Sequence, residues 1–295
     1  MEAGLPIDVL LPIVIALMML AVGMGLRPAD FRAVAAAPLA AGIGLLGMFV
    51  VFPLLAFVLA AAFRLDPALA IGLVLLAASP SASTSTMFTY LARGDVALSV
   101  ALTALSKIVP VVTVPAYVSL AALAFAGERL EVDISFAETS EAIVTTILLP
   151  TLAGMALRCY PAMAAFRPHV ARVSVALLVV LIAVLVWRER SALPAMFASA
   201  GPAALALCVL GMASAFAAAS LVRLPRGRRS ALTIEVGMQS GGTSIAIAAG
   251  VLGAPAMAVP AAVYSLIMYL AAALFVLLER AAERAAAPDV APTGS

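Results

Sequence analysis

Long apolar runs recur along the whole chain, and most of them are about 18 residues or longer. A helix of that length crosses the hydrocarbon core of a bilayer, which is about 30 Å thick. Of the 295 residues, 65% are hydrophobic and only 11% are charged, which is too little charge to cover the surface of a soluble domain of this size. The sequence therefore predicts an all-α polytopic membrane protein.

Polar residues divide these runs into about nine predicted transmembrane spans. The first run has no basic segment before it, so we interpret it as a mature span and not as a cleaved signal peptide. The last residues, 286–295, are predicted to form a disordered tail. The nine spans are predicted at 6–26, 36–63, 68–91, 96–126, 140–158, 173–187, 200–222, 230–252 and 256–279.

Arginines between the spans predict the orientation, because cytoplasmic segments carry an excess of basic residues. With the N-terminus outside, twelve arginines fall in cytoplasmic segments and four in outer segments, so we predict an inner (plasma) membrane protein with its C-terminus in the cytoplasm. A local ion pair between Arg93 and Asp95 is predicted in one inner turn. The twelve are Arg27, Arg32, Arg93, Arg158, Arg167, Arg172, Arg223, Arg226, Arg228, Arg229, Arg280 and Arg284, and the four are Arg64, Arg129, Arg188 and Arg190.

The chain also contains a weak internal repeat. ALAIGLVLL (68–76) is similar to ALTIEVGMQ (231–239), and after a short gap residues 82–105 align with 241–265. In the predicted topology the two copies enter the membrane from opposite sides. Inverted repeats of this kind are typical of transporters, with the substrate site near the midplane between the copies.

Each copy has a helix-breaking cluster inside its apolar run, SPSASTST at 79–86 and QSGGTS at 239–244. Backbone groups freed by a break need partners within the protein or beside water, because lipid offers none. Serine and threonine can instead bond back to their own helix, and small residues can simply help helices to pack. Because the clusters occupy matched positions, we favour two discontinuous helices around a site.

Three segments resemble the bile acid:sodium symporter family, namely MGLRPADF (24–31), TYLARGDVALSVALT (89–103) and ALTIEVGMQ (231–239). The resemblance extends over nearly the whole chain, which is identified as a bacterial member. It implies one transporter unit, 1–285, with two crossing discontinuous helices in a core domain and a separate panel domain. The implied panel consists of spans 6–26, 140–158 and 173–187, and the implied core of spans 36–63, 68–91, 96–126, 200–222, 230–252 and 256–279.

The same resemblance implies two sodium sites and a substrate site. The second sodium site departs from the family, because Met48 stands where a glutamine is usual and a thioether is a poor ligand for a hard cation. Thr86 also replaces a usual asparagine. The implied first-ion residues are Ser85, Thr86, Ser99, Thr103 and Glu235; the second-ion residues are Glu235, Val236, Met238 and Gln239; and the predicted substrate-binding residues at the breaks are Ser81, Ser83, Thr84, Ser240, Gly241, Gly242 and Thr243.

Lys107 is the only lysine in the chain and lies within a predicted span. Ser99, Thr103 and Lys107 are spaced i, i+4 and i+8, so a continuous helix would place them on one face, beside the implied first ion. Glu235 is the only carboxylate well inside a predicted span. We therefore predict that Lys107 replaces at least one sodium ion, with two alternatives left open: it extends to the membrane interface, or it binds a substrate carboxylate directly.

The resulting functional hypothesis is a secondary transporter of small organic anions that works by alternating access. Lys107 would make it proton-coupled or facilitative; the alternatives are a conventional sodium-coupled symporter and a membrane-embedded ligand sensor without flux. We expect no enzyme activity, since Ser106 would point about 100° away from the Lys107 face of a helix and no other catalytic pattern is present. Apart from sodium or a proton as coupling ion we expect no cofactor, and the expected partners are the anion and the lipid bilayer, with no nucleic acid, in a monomer or weak oligomer.

Overall fold

The computed structural model describes residues 32–126, 144–160 and 193–286 without gaps, together with residue 141 and separate positions within 13–25 and 166–180. These residues form helices joined by short turns, and the one β-type pairing among them is an isolated bridge. Several sequence predictions lie partly or wholly outside the described residues: the beginning of span 6–26, most of span 173–187, and the tail after residue 286.

The α-helices are numbered here in chain order. Three short π-helical turns, Gly47–Val51, Val144–Leu148 and Ile247–Val251, and a 3₁₀ turn, Pro255–Ala258, adjoin them. The helices are α1 (Arg32–Ala36), α2 (Pro38–Leu46), α3 (Phe52–Ala62), α4 (Pro67–Ala78), α5 (Ser85–Leu91), α6 (Val96–Leu105), α7 (Pro110–Phe125), α8 (Leu149–Leu157), α9 (Leu193–Leu221), α10 (Arg226–Gly237), α11 (Gly241–Ala246) and α12 (Val259–Ala286).

Three described helical runs are long and apolar enough to cross a membrane: Pro38–Ala62, Phe197–Leu221 and Pro255–Ala285. They correspond to the second, seventh and ninth predicted spans. A fourth candidate is the pair α6 and α7, which is bent by 63° at a short break. The all-α polytopic membrane class is thus confirmed. The described residues contain three or four such crossing elements, and the number of nine stays a prediction.

Two predicted spans are interrupted where the sequence places its polar clusters. Span 68–91 consists of α4 and α5, and span 230–252 consists of α10 and α11 with its π-helical extension. α4 stops at Ala78 because Ser79 adopts an extended conformation before Pro80, whose ring disfavours a helical residue in front of it. α10 ends at Gly237, before the extended Met238.

The turns that lead into the two interrupted helices have the same geometry. Arg64 and Arg223 both adopt a left-handed conformation, with φ of 51° and 53°. The following amides, Leu65 N and Leu224 N, donate to carbonyls five residues back at 3.0 Å and 2.9 Å. Both turns are therefore Schellman-type helix ends. A third turn of this geometry, at Arg93, precedes α6, with Gly94 N donating to Thr89 O at 2.8 Å, so these turns do not by themselves mark the repeat.

The first and fifth predicted spans pack closely where both are described. A Cβ atom on Gly23 would lie 2.0 Å from Thr151 O, and one on Gly154 would lie 2.2 Å from Leu20 O. Two helices approach this closely only when small residues face each other. This contact joins two segments that the family resemblance assigns to the same panel.

The predicted local pair between Arg93 and Asp95 is wrong. Arg93 Nη1 lies 2.7 Å from Glu283 Oε1, and Arg228 Nε lies 3.5 Å from Asp95 Oδ2. The charges therefore join the turn after α5, the start of α10 and the end of α12. These three segments lie together at one end of the molecule, as the arginine count requires of segments on the same side of the membrane.

Replacement of Gly72 by alanine is expected to destabilise the protein. Gly72 lies in α4, and an added Cβ would come within 2.2 Å of the backbone oxygen of Met257. Because backbone must move to relieve this overlap, we expect a loss of about 1–3 kcal/mol, measured as thermal unfolding in detergent. Gly201→Ala is the matched control, since no described atom lies within 4 Å of its added Cβ, and it should be neutral or stabilise α9 by up to about 1 kcal/mol. Equal effects of the two substitutions would contradict the close approach of α4 to the 3₁₀ turn.

Candidate functional site

The two helix interruptions meet and pair with each other as a short antiparallel bridge. Ala82 N donates to Met238 O at 2.8 Å. In the other direction, Ser240 N donates to Pro80 O, also at 2.8 Å. Each interruption therefore supplies partners for the backbone groups that the other leaves free, which a break inside a membrane requires.

Carbonyls at the end of α10 find side-chain partners. The last carbonyls of a helix have no partner within it. Tyr264 of α12, which is fully buried, donates its hydroxyl to Gly237 O at 2.7 Å. Gln239 Nε2 donates to Val236 O at 3.0 Å. The crossing is thus held by side chains as well as by the backbone bridge.

Glu235, in the last turn of α10, is fully buried and accepts hydrogen bonds from four hydroxyl groups. Its Oε1 atom accepts from Ser85 at 2.6 Å and from Ser99 at 2.5 Å. Its Oε2 atom accepts from Ser81 at 2.7 Å. Thr103 Oγ1 lies 3.0 Å and 3.1 Å from the two oxygens. Hydroxyl donors on both oxygens stabilise an ionised carboxylate out of contact with bulk water.

The five implied first-ion residues come together around this carboxylate. Ser99 and Thr103 are one helical turn apart on α6, and Ser85 begins α5. Thr86 is linked to the group through Ser99, whose hydroxyl lies 3.2 Å from Thr86 Oγ1. Their proximity follows from the crossing of the two interrupted helices beside α6. Their role as ion ligands stays a prediction.

Lys107 is also buried, with 6% of its surface exposed, and its side chain points toward this cluster. Its Nζ donates to Ser81 O at 2.6 Å. Lys107 and Glu235 do not form a direct ion pair. Ser81 connects them, because its carbonyl accepts from the ammonium while its hydroxyl donates to the carboxylate. The side chain therefore does not extend to the membrane interface, which was one of the alternatives.

The helix that carries Lys107 is not continuous, so the predicted i, i+4, i+8 face is wrong at its last member. α6 ends at Leu105 and α7 begins at Pro110, which has no backbone N–H and stands at the first position of the new helix. Ser106 and Lys107 lie in the bend between them. Ser106 Oγ accepts from Ser81 N at 3.1 Å, so the bend holds Ser81 at both its N–H and its carbonyl.

A regular helix would turn Ser106 away from Lys107, so the sequence did not predict Ser106 as part of this site. The available signal was Pro110, which indicates a helix start nearby. Two further contacts were not predicted: the hydrogen bond of Tyr264 to α10, and a 2.9 Å bond from Ser244 Oγ to Ser79 Oγ between the interrupted helices. The serine within QSGGTS was the signal for the second contact.

The implied second-ion residues lie in a more apolar environment. Val236 and Met238 belong to the same buried cluster as Met48, the residue that replaces the usual glutamine. Gln239 is fully buried, and among the described residues its Oε1 has no hydrogen-bond partner. The amide oxygen of Gln239 is thus free to accept, whereas Met48 offers only a thioether. The residues at this second site therefore fit a hard cation less well than those around Glu235.

The predicted substrate residues of the first interruption have different environments. Ser81 is fully buried and bonded to Glu235, so it belongs to the hydroxyl cluster. Ser83 is exposed. Thr84 is half-buried, with its hydroxyl 3.4 Å from the Tyr269 hydroxyl. Ser83 and Thr84 are therefore the accessible polar groups of this interruption.

The second interruption begins a helix with a hydroxyl cap. Ser240 Oγ and Thr243 Oγ1 are 2.7 Å apart, and Ser240 also accepts from Thr243 N. Gly241 is packed so closely on Ser265 that an added Cβ would lie 1.8 Å from its hydroxyl oxygen. Gly242 and Ser240 are half-buried and Thr243 is buried. Accessible backbone and hydroxyl groups from both interruptions thus adjoin the crossing.

Comparison with known proteins identifies the family. The model of the sodium bile acid symporter family matches residues 12–195. A protein of Bacillus subtilis (strain 168) named uncharacterized sodium-dependent transporter YocS is 30% identical over 264 residues, which is 86% of this chain and 77% of that protein. The probable sodium/metabolite cotransporter BASS1, chloroplastic, of Arabidopsis thaliana is 31% identical over 252 residues, 84% of this chain and 61% of that protein. The human P3 protein is 46% identical over 66 residues, 22% of this chain and 14% of that protein. On the match to more than half of its length and on this fold, the chain belongs to the sodium bile acid symporter family.

Proposed function

We propose that this membrane transporter moves a small organic anion by alternating access, and that the Lys107 ammonium replaces one coupling sodium ion. Transport would then be coupled to protons or be facilitative. One observation carries the proposal: a buried ammonium and a buried carboxylate meet at the crossing through a single residue, Ser81.

Charge balance gives the physical reason. An isolated buried carboxylate is costly, and the cost falls when an opposite charge and hydrogen-bond donors accompany it. At the Glu235 cluster four hydroxyls supply the donors, and Lys107 is the basic side chain that reaches the same group of residues. A sodium ion bound here would supply the same single positive charge. The lysine therefore makes that ion unnecessary for neutrality.

The exposed polar groups of the interruptions support an anion site beside this cluster. Ser83, Thr84, Ser240 and Gly242 are accessible and belong to the two segments that cross. Hydroxyls and helix-start amides are suitable donors to a carboxylate or sulfonate. In this proposal the anion binds between the core and a panel that includes the packed first and fifth spans.

Conventional sodium-coupled symport is the second candidate, because Gln239 Oε1 is a buried acceptor without a partner among the described residues. An amide oxygen of this kind is a suitable ligand for a hard cation. The names of the Bacillus and Arabidopsis relatives point in the same direction. In this candidate function one sodium ion binds near Gln239. The remaining alternative is a ligand sensor, which would show no flux.

Transport by the wild-type protein in proteoliposomes separates these candidates. A substrate is first chosen from a panel of carboxylates and sulfonates by its stabilisation of the protein against heat. If one sodium ion is coupled, a tenfold sodium gradient supports about tenfold accumulation of substrate. We expect no such accumulation under a sodium gradient and substantial exchange in a counterflow assay. Accumulation of about tenfold would reject proton-coupled or facilitative transport and favour the second candidate, with one sodium near Gln239. Accumulation of about a hundredfold would need two coupled sodium ions and would reject the replacement of one by Lys107. Absence of counterflow would favour a sensor.

A further inference from the structure

A basic cavity lies where α5 and α12 end, and none of its lining residues belongs to the Lys107 cluster. Its volume is about 290 Å³, and it is lined by Arg93, Arg280, Glu283 and Arg284. Three arginines and one glutamate give this cavity a formal charge of plus two. An excess of arginine at one cavity is a typical feature of an anion site.

Two of the arginines are held in position. Arg93 Nη1 contacts Glu283 Oε1 at 2.7 Å, and Arg280 Nε donates to Leu91 O at 2.8 Å. Arg284 has no hydrogen bond or ion pair with the described residues. The cavity therefore combines two bonded guanidinium groups with one that has no partner among the residues that the structure describes.

An exposed apolar stripe of α12 leads to the same cavity. Leu270, Leu274 and Leu277 are 75%, 57% and 65% exposed. At 3.6 residues per turn, these leucines and Arg284 lie within about 40° of Leu270 around the helix axis. The stripe suits lipid tails, and the arginine stands where the apolar surface ends.

An aromatic residue on α5 marks the same boundary. Tyr90 is 70% exposed and immediately precedes Leu91, whose carbonyl holds Arg280. Tyrosines with exposed rings are enriched at the level of lipid headgroups. The cavity and its arginines thus lie at the level expected for a membrane–water interface.

We propose that this cavity binds the phosphate of an anionic phospholipid, with the acyl chains along the leucine stripe of α12. The arginines supply charge-assisted donors to the phosphate, and the leucines cover the tails. A free phosphate ion would satisfy the arginines but would gain nothing from the leucines. For this reason the proposal specifies a lipid and not a soluble anion.

Lipid titration of the full-length protein in neutral detergent tests the site. Bound short-chain phosphatidylglycerol and phosphatidylcholine are counted by native mass spectrometry, with inorganic phosphate as competitor. We expect Arg280→Gln/Arg284→Gln to weaken phosphatidylglycerol binding roughly thirtyfold and to leave phosphatidylcholine binding unchanged. Arg284→Gln alone should weaken it roughly fivefold, and this variant removes no hydrogen bond that the structure describes.

Arg64→Gln is the matched control for Arg284→Gln, because it removes the same charge from the turn before α4, which does not line the cavity. This control should bind phosphatidylglycerol as the wild type does. Equal weakening in Arg64→Gln and Arg284→Gln, or no preference of the wild type for phosphatidylglycerol, would overturn the proposal. Displacement of the lipid by inorganic phosphate at equal concentration would also overturn it and would indicate a site for a free anion.

Discussion

Glu235→Gln is expected to abolish transport while the protein remains folded. The carboxylate accepts hydrogen bonds from four hydroxyls and is connected to the Lys107 ammonium through one residue, Ser81. Glutamine has the same shape and retains one oxygen acceptor, so packing should survive. The substitution leaves the buried Lys107 ammonium without a negative neighbour at the crossing, so we expect substrate flux in proteoliposomes to fall to background for protein that is still folded.

Glu141→Gln is the matched control, because it makes the same chemical change in an exposed glutamate outside the crossing. Flux should remain near that of the wild type. The double variant Lys107→Met/Glu235→Gln removes both buried charges and should be more resistant to heat than Glu235→Gln. An active Glu235→Gln protein would remove this carboxylate from the mechanism.

Lys107→Ala is expected to make the protein dependent on sodium. The substitution removes the ammonium that donates to Ser81 O and leaves the Glu235 carboxylate without its positive neighbour. The four hydroxyl oxygens and the carboxylate then form an oxygen-rich cage of the type that sodium and other hard cations prefer. We expect the variant to show only background flux without sodium and to recover flux when sodium is added.

Thermal unfolding gives an independent measurement of the same change. Sodium, compared with choline at equal ionic strength, should stabilise Lys107→Ala and have little effect on the wild type. Lys107→Arg is the informative comparison, since it keeps the charge but has a planar group that does not fit the single Ser81 carbonyl in the same way. An alanine variant that ignores sodium in both assays would contradict the replacement of an ion by Lys107.

Local sequence predicted where the helices stop but not how they continue. Pro80 and the glycines at 241 and 242 indicated the two interruptions, because proline and glycine restrict or free the backbone locally. Pro110 predicts a kink or a helix start, and in the structure it begins α7 after a bend of 63°. A proline is compatible both with a kink in one helix and with the start of another.

The sequence predicted which residues form the candidate site better than it predicted the contacts between them. The family resemblance named Ser85, Ser99, Thr103 and Glu235, and the structure brings their side chains together. It did not indicate that Ser81 would connect the two buried charges. That contact depends on the α6–α7 bend, which fixes the direction of Lys107 and is set by packing between segments distant in sequence.

The ion pairs also differ from what sequence spacing suggested. A separation of two residues suggested that Arg93 pairs with Asp95, yet each pairs with a residue more than a hundred positions away. Short spacing makes an ion pair possible, but the folded positions of α10 and α12 bring other charges nearer.

The sequence by itself determined the membrane class, the two interruptions, the family and the residue types around Glu235, because hydropathy and backbone preference are properties of local segments. Only the tertiary structure decided which freed carbonyl each donor would satisfy. Inside a membrane every such group must find a partner within the protein, and that partner is chosen by the crossing of the helices and not by distance along the chain.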